Sequence, residues 1–152
     1  KRQTTLQNDN QQKYTWKSWA FSPYLTSQPC KYVELAYNGM FAKTYLSTEY
    51  QNNSYLSQQH KVSLKLMPFD GFTFDTSADI VKNELTKDVS KTMSLLDMGL
   101  SYRKKAMKIS FDIRNILNQR QYAYTIYNSV NTFTYNYLLR GRECVCTVKL
   151  TM

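Results

Sequence analysis

Residues 107–114, Met-Lys-Ile-Ser-Phe-Asp-Ile-Arg, alternate without a fault: Met107, Ile109, Phe111 and Ile113 are apolar, and Lys108, Ser110, Asp112 and Arg114 are not. A period of two belongs to a strand, whose successive side chains point to opposite faces, and it excludes a helix across this segment. The pattern recurs along the chain. Val62, Leu64 and Leu66 oppose Lys61, Ser63 and Lys65, while Phe72, Phe74, Thr76, Ala78 and Ile80 oppose Thr73, Asp75, Ser77 and Asp79. Leu96, Met98, Leu100 and Tyr102 oppose Asp97, Gly99 and Ser101. Cys144, Cys146, Val148, Leu150 and Met152 oppose Thr147, Lys149 and Thr151, and a shorter run sets Val33, Leu35 and Tyr37 against Glu34, Ala36 and Asn38. So many two-faced segments predict an all-β chain of antiparallel strands, each with one apolar and one wet face.

The connections carry a second regularity. Pro68-Phe69-Asp70-Gly71 has turn chemistry, since Pro presets φ and Gly accepts a positive one. Arg103 to Ala106 is the other tight reversal. Between and beyond them lie longer polar links: Ser47 to Ser57, Thr86 to Lys91, and the stretch from Asn115 to Gly141. Short and long connections thus alternate, which predicts an antiparallel up-and-down meander of about seven or eight strands. Outer-membrane barrels have this plan, with short periplasmic turns and long outer loops; on it the last strand runs downward and Met152 ends in the periplasm. Val81, Leu85, Val89, Met93 and Leu96 recur at mostly four-residue spacing, which also fits an amphipathic helix. The strand reading is preferred because it preserves the alternation on both sides. The first twelve residues carry no firm pattern, whereas Tyr14, Trp16, Trp19 and Phe21 suggest an aromatic strand of the kind found near a membrane interface.

Composition narrows the function. Thirteen Tyr, seven Phe and two Trp accompany only four Gly. No apolar run reaches the roughly 18 to 20 residues of a membrane-spanning helix, while a barrel strand needs only about 9 to 11. The net charge of +9 is spread over Lys61, Lys65, Lys82, Lys108 and Lys149 among apolar residues, with one tight cluster at Arg103-Lys104-Lys105. Charge so dispersed reads as wet strand faces, and no nucleic-acid partner is expected. Cys144 and Cys146 share a strand face and are poorly placed to bond each other, and pairing of either with Cys30 is left open. A single His60 and the lack of a Cys-x-x-Cys motif leave no metal or cofactor site in view. Asp75 and Asp79 share a face, but no catalytic constellation surrounds them, so an enzyme is not expected. The chain opens Lys1-Arg2-Gln3 with no charged-then-apolar leader, which fits a cleaved leader or a piece of a longer protein.

From residue 97 onward the chain resembles the C-terminal barrel region of TonB-dependent outer-membrane receptors. The resemblance rests on the run DMGLSYRKKAMKISFDIRNILNQRQYAYTIYN followed by YLLRGRECVCTVKL. In that family a penultimate strand leads to an Asn-x-[Phe/Leu]-Asn turn and a Tyr-rich segment, and an Arg-containing run enters the last strand. The matching residues are Asn115-Ile116-Leu117-Asn118, then Tyr122, Tyr124 and Tyr127, then Arg140 and Arg142. Met152 stands where the family usually ends in an aromatic, and Cys144 and Cys146 are unusual in such strands. The resemblance implies that residues 1–152 are the C-terminal portion of a transmembrane β-barrel of about 22 strands, lacking the plug and N-terminal strands. It implies a Gram-negative outer-membrane location and energised uptake of a glycan, peptide or chelate. The implied partners are outer-membrane lipid, the rest of the barrel and plug, TonB through the missing N-terminal part, and a surface lipoprotein. Two other classes stand beside this one: a small porin or anchoring barrel, and a soluble basic β-sheet protein that binds nucleic acid.

In the barrel, Val62, Leu64, Leu66, Leu100, Ile109, Phe111, Ile113, Val148 and Leu150 are expected to face lipid. Lys61, Lys65, Asp97, Lys108, Asp112 and Lys149 are expected to face the lumen, because a Lys or Arg on the lipid face near the midplane costs about 2 to 4 kcal/mol. His60 falls on the apolar parity, near the membrane rim. Arg140 and Arg142 are expected to be lumen or rim charges. Tyr122, Tyr124, Tyr127, Tyr135 and Tyr137 are the candidate ligand-binding residues, on an outer loop where aromatic faces can stack on sugars or peptides; a girdle at the outer interface is the competing role.

Overall fold

The computed structural model describes residues 2–7, 10–48, 52–86, 89–127 and 132–151. The described residues form strands and no helix: β1 (Arg2–Gln7), β2 (Asn10–Phe21), β3 (Tyr24–Cys30), β4 (Val33–Thr48), β5 (Asn52–Leu66), β6 (Phe72–Thr86), β7 (Val89–Lys104), β8 (Met107–Arg114), β9 (Gln121–Tyr127), β10 (Thr132–Leu138) and β11 (Glu143–Leu150). The main sheet runs β1-β2-β4-β5-β6-β7-β8-β11, with β3 on the same edge of β4 as β2, and every pairing is antiparallel. β2 and β3 act as one strand. Phe21 pairs with Phe41 and Tyr24 with Asn38, so the register continues across Ser22-Pro23. Pro23 has no N–H to give, but its carbonyl still accepts the Gly39 amide at 2.8 Å. The antiparallel meander expected from the alternation is therefore present. β1 and β11 lie at opposite ends of the sheet and do not pair with each other, so the described strands close no barrel.

The polar links differ from their sequence expectation. β4 runs to Thr48 and β5 resumes at Asn52; β6 runs to Thr86 and β7 resumes at Val89. Most of the Ser47–Ser57 and Thr86–Lys91 links is thus paired strand. Backbone pairing needs no apolar face, and with polar residues on both faces these legs lose the alternation that marks a strand. The four-residue spacing of Val81, Leu85, Val89 and Met93 belongs to this hairpin as well, with Val81 opposite Met93. A spacing of four is close to one helical turn, but it is also two strand periods. Within the Asn115–Gly141 link, β9 and β10 form a separate hairpin, and the pattern-free N-terminus supplies β1.

Short reversals gather at one end and are tied to neighbouring strands. Gly71 has φ 81°, and its carbonyl accepts the Arg103 amide at 2.7 Å. A Cβ on Gly71 would come 2.1 Å from the Arg103 carbonyl oxygen. The next reversal joins Lys104 to its partner Met107, one residue later than the sequence placed it, with Lys105 at φ 52°. Tyr32 O accepts the Met67 amide at 2.7 Å, and Ala106 O accepts the Thr151 amide at 2.8 Å, so this rim is stitched along its length. The core is slight. Among the described residues only Val81, Met93 and Ala123 are buried hydrophobics. Apart from β9 lying against β6, the substantial contacts are those between ladder neighbours.

Gly71 combines a left-handed backbone with a contact that leaves no room for a methyl. Gly71→Ala should lower the unfolding free energy by about 2 kcal/mol, whereas Lys105→Gly, which relieves a left-handed non-glycine residue, should not lower it. Equal losses in denaturant titrations of the two variants would contradict this account of the turns.

Candidate functional site

The ladder keeps its register from β2 to β11 apart from shifts at Ser27/Cys30 and Glu84/Thr86, so between these points strand parity divides the side chains between two faces. One face is charged. It carries Glu34, Lys61, Lys65, Asp75, Asp79, Asp97, Lys108, Asp112, Arg114, Glu143 and Lys149. Opposite signs meet across strands: Lys61 faces Asp79, Lys65 faces Asp75, and Arg114 faces Glu143. Lys65 Nζ lies 3.2 Å from Glu34 Oε2, and Gln59 Nε2 donates to Asp79 at 3.2 Å. The ion pair is well exposed and contributes little to stability by itself. Gly99 sits between Asp75 and Asp112, and a Cβ there would come 2.6 Å from Asp75 Oδ2 and 2.9 Å from Asp112 Oδ1. The gap lets two carboxylates fold over the strand. A depression of about 940 Å³ lies at the turn end of this face among Lys31, Lys65, Asp75, Arg103 and Lys108.

The other face is apolar, and much of it is bare. Val62, Leu64, Leu66, Leu100, Ile109, Phe111, Ile113, Val148 and Leu150 all lie on it. Six of these are exposed, Val62 at 45% and Leu150 at 69%, while Leu64, Leu66 and Ile113 are half-buried. Trp19, Phe21, Leu25, Leu35, Ile80, Met98 and Tyr102 extend the exposed set across the sheet. Soluble monomers rarely present a contiguous apolar surface this broad. No Asp, Glu, Lys or Arg occurs on this face between Val33 and Phe41, His60 and Leu66, Phe72 and Ile80, Leu96 and Tyr102, or Met107 and Ile113. His60 sits within it opposite Gly39; the Tyr37 hydroxyl lies 2.9 Å from its Nδ1, and Phe41 meets its ring edge-on at 5.1 Å. Cys144 and Cys146 share this face, and Cys30, Cys144 and Cys146 are free thiols.

The apolar stretches of this face form a sloping band. A rung of the ladder through Phe111 passes Leu100, Phe74, Leu66 and Val33 in turn. It crosses the middle of the band on β8 and its lower end on β4, where the middle is Tyr37. The band therefore shifts about one residue per strand. With a rise of about 3.3 Å and a strand spacing of about 4.8 Å, its axis lies about 35° from the rungs. Val33 to Phe41 spans about 26 Å along the strand, or about 21 Å across the band at that tilt.

At the opposite end from the turns, β9 and β10 place Tyr122 beside Tyr137 and pair Tyr124 with Tyr135 in the backbone ladder. The rings of Tyr122 and Tyr137 stack at 6.4 Å, and those of Tyr135 and Tyr137 lie 6.5 Å apart and nearly parallel. Phe133, Tyr135 and Tyr137 are exposed. The side chains of Tyr124 and Tyr127, like residue Met152, lie outside the described residues. The arrangement offers several parallel aromatic faces within one hairpin.

A latch with no direct sign in the residue pattern holds this hairpin. Asn115 and Asn118 have φ 51° and 55°, a left-handed backbone that Asn tolerates better than most residues. The Asn115 amide donates to Asp97 Oδ1 at 2.7 Å, and Asn115 Nδ2 donates to the carbonyls of Gln119 and Arg140, each at 2.8 Å. Asn115 Oδ1 accepts the Gln119 amide at 2.8 Å, and Asn118 Oδ1 accepts the Arg142 amide at 3.1 Å. Arg142 donates from Nε to Ile116 O at 2.9 Å and from Nη2 to the same oxygen. Arg142 thus also caps the backbone of the Ile116 turn while remaining exposed. Arg140 keeps an exposed side chain, 3.6 Å from Glu143. The only advance signal was the Asn-x-x-Asn spacing itself. Among the described residues no cluster of His, Cys, Asp and Glu is arranged to hold a metal ion. No protein-family model, curated protein or solved structure matches the chain.

Asn115→Ala removes three side-chain hydrogen bonds and the left-handed tolerance together. It should cost about 3 kcal/mol, at roughly 1 kcal/mol per bond, and open residues 119–139 to protease before the sheet unfolds. A variant that keeps wild-type protection there would contradict the latch.

Proposed function

We propose that this chain is an arc of wall from a transmembrane β-barrel in a Gram-negative outer membrane, serving a TonB-dependent receptor in energised nutrient uptake. The observation that carries the barrel half is the sloping, uncharged, exposed band. Membrane barrels tilt their strands about 35 to 45° and carry an apolar belt about 25 Å tall; the band's slope and width fall close to both. Val62, Leu64, Leu66, Leu100, Ile109, Phe111, Ile113, Val148 and Leu150 would then meet lipid, and the charged face would line the lumen. Lipid offers no hydrogen bonds, so further strands would have to continue the sheet at β1 and β11. The receptor half is supported by the resemblance over residues 97–152. It places the β9–β10 hairpin outside, with Tyr122, Tyr124, Tyr127, Tyr135 and Tyr137 as stacking surfaces for a glycan, peptide or chelate. TonB, a plug and a surface lipoprotein would act through parts of the receptor beyond this arc.

A matched pair tests the wall. Phe111→Arg should lower folding into phosphatidylcholine vesicles by about 2 to 4 kcal/mol, and Ser110→Arg, one residue away on the charged face, by far less. Equal effects would contradict the assignment of faces. Transport is tested separately: in cells carrying the parent receptor, substrate-dependent growth should stop when TonB is depleted, and growth that continues unchanged would contradict energised uptake.

A further inference from the structure

We infer that Lys17, Lys43 and Lys82 form a row that binds the phosphate groups of anionic lipid along the long-strand border of the apolar band. The inference rests on the transmembrane reading and adds the headgroup chemistry of the lipid that this border meets.

The three lysines occupy β2, β4 and β6 on the apolar face. Lys17 stands two residues beyond Trp19, Lys82 two beyond Ile80, and Lys43 two beyond Phe41, with Tyr45 following it on the same face. The ladder relates them. The rung through Lys82 passes Gln58 to reach Phe41, two residues short of Lys43. The rung through Lys43 reaches Trp19, two residues short of Lys17. The row therefore climbs across the sheet in the same sense as the band and at about the same slope, so its members stand at nearly one height above it. Such a line follows the border of a membrane, not the direction of any strand.

Charge balance points to an anion. Lys17 and Lys82 are exposed, and Lys43 is half-buried with its ammonium 5.0 Å from the Tyr45 ring centre. None of the three makes an ion pair among the described residues. Six of the seven carboxylates described on strands β2 to β11 are on the opposite face; the seventh, Glu84, accepts the Leu56 amide at 2.7 Å. Glu84 stands two residues from Lys82 on the same face, whereas Lys17 and Lys43 have no carboxylate on that face among the described residues. Cations so placed repel one another, and phosphates along the line would offset that repulsion. The adjoining band selects the carrier. A free phosphate gains nothing from Trp19, Phe21, Phe41 and Ile80, whereas a lipid brings its phosphate and its acyl chains to the two surfaces at once. The turn-end border is built differently, from Tyr32, Phe69, Phe72 and Tyr102, with Phe69 and Phe72 stacked at 4.9 Å and Lys104 the lysine on that face.

Trp19, half-exposed and opposite Lys43, is a built-in reporter. The protein, reconstituted in phosphatidylcholine vesicles, is titrated with trace dansyl-labelled phosphatidic acid or dansyl-labelled phosphatidylcholine, and energy transfer from tryptophan is read. The acidic lipid should associate about tenfold more strongly, and the preference should fall to near unity in Lys17→Gln/Lys43→Gln/Lys82→Gln, as expected if each lysine contributes a few-fold. The triple variant Lys31→Gln/Lys104→Gln/Lys105→Gln removes equal charge at the other border and should keep the preference. Equal association of both lipids with the wild type, an equal loss in both variants, or abolition by 50 mM inorganic phosphate at fixed ionic strength would overturn the row while leaving the membrane reading intact. Transfer to neither lipid would overturn both.

Discussion

The backbone ladder from β1 to β11 has to hold this fold with almost no core beneath it. A sheet in water normally covers one face with a second layer and gains most of its stability from the apolar area so removed. Here Val81, Met93 and Ala123 are the buried hydrophobics among the described residues, and the aromatic and aliphatic side chains of one face remain uncovered. Register consequently decides the character of the surface. A slip of one residue on β6 would bring Asp75 and Asp79 onto the apolar side and send Phe74 and Ile80 to the charged one. The turn-end hydrogen bonds of Gly71, Tyr32 and Ala106 matter for that reason: they pin the register where the strands reverse.

Two consequences follow from that fixed register. The first is a segregation of charge sharper than ordinary amphipathicity: among the side chains described, the strand lysines of the apolar face, Lys17, Lys43, Lys82 and Lys104, stand beyond its borders, while the charged face mixes both signs along its length. The second is the slope of the band, a property no single strand possesses. It exists only when successive pairings are read together, and it gives the sheet a direction with respect to any flat apolar layer that covers it. The hairpin β9–β10 is held outside this scheme. Asn115, Asn118 and Arg142 end β8 and restart the chain with the ladder displaced, so the tyrosines present a surface of their own.

The sequence was most legible where chemistry alternates. Met107–Arg114, Phe72–Ile80 and Leu96–Tyr102 could be assigned to faces residue by residue, because burial or lipid contact imposes a period of two, and Pro68–Gly71 declared its turn. Legibility failed where no apolar face exists. The described parts of the Ser47–Ser57 and Thr86–Lys91 links are held by the backbone ladder and by polar contacts such as Ser57 Oγ to Asn83 Oδ1, and a backbone hydrogen bond leaves no mark on side-chain type. Val81 and Met93 were ambiguous for another reason, since their spacing serves a helix and a strand equally well, and only the alternation on either side favoured the strand. The Asn115 latch was invisible for a third reason: it joins residues far apart in the chain, and Asn115 gives no hint that it will reach Arg140. Tyr122, Tyr135 and Tyr137 were legible as a group, but their stacking depends on a β9–β10 register that the polar residues around them did not announce.

The claim that most needs direct measurement is that one face of this single-layer sheet meets acyl chains and the other meets water. Spin labels placed singly at residues 107–114, in a chain whose Cys30, Cys144 and Cys146 are replaced by serine, report this in phosphatidylcholine vesicles through collision with dissolved oxygen and with a water-soluble nickel chelate. Oxygen access should peak at Met107, Ile109, Phe111 and Ile113, and nickel access at Lys108, Ser110, Asp112 and Arg114, the two curves alternating out of phase. Labels at Ile109, Phe111 and Ile113 that are shielded from both reagents, or reached by nickel as readily as their neighbours, would contradict a lipid-facing wall.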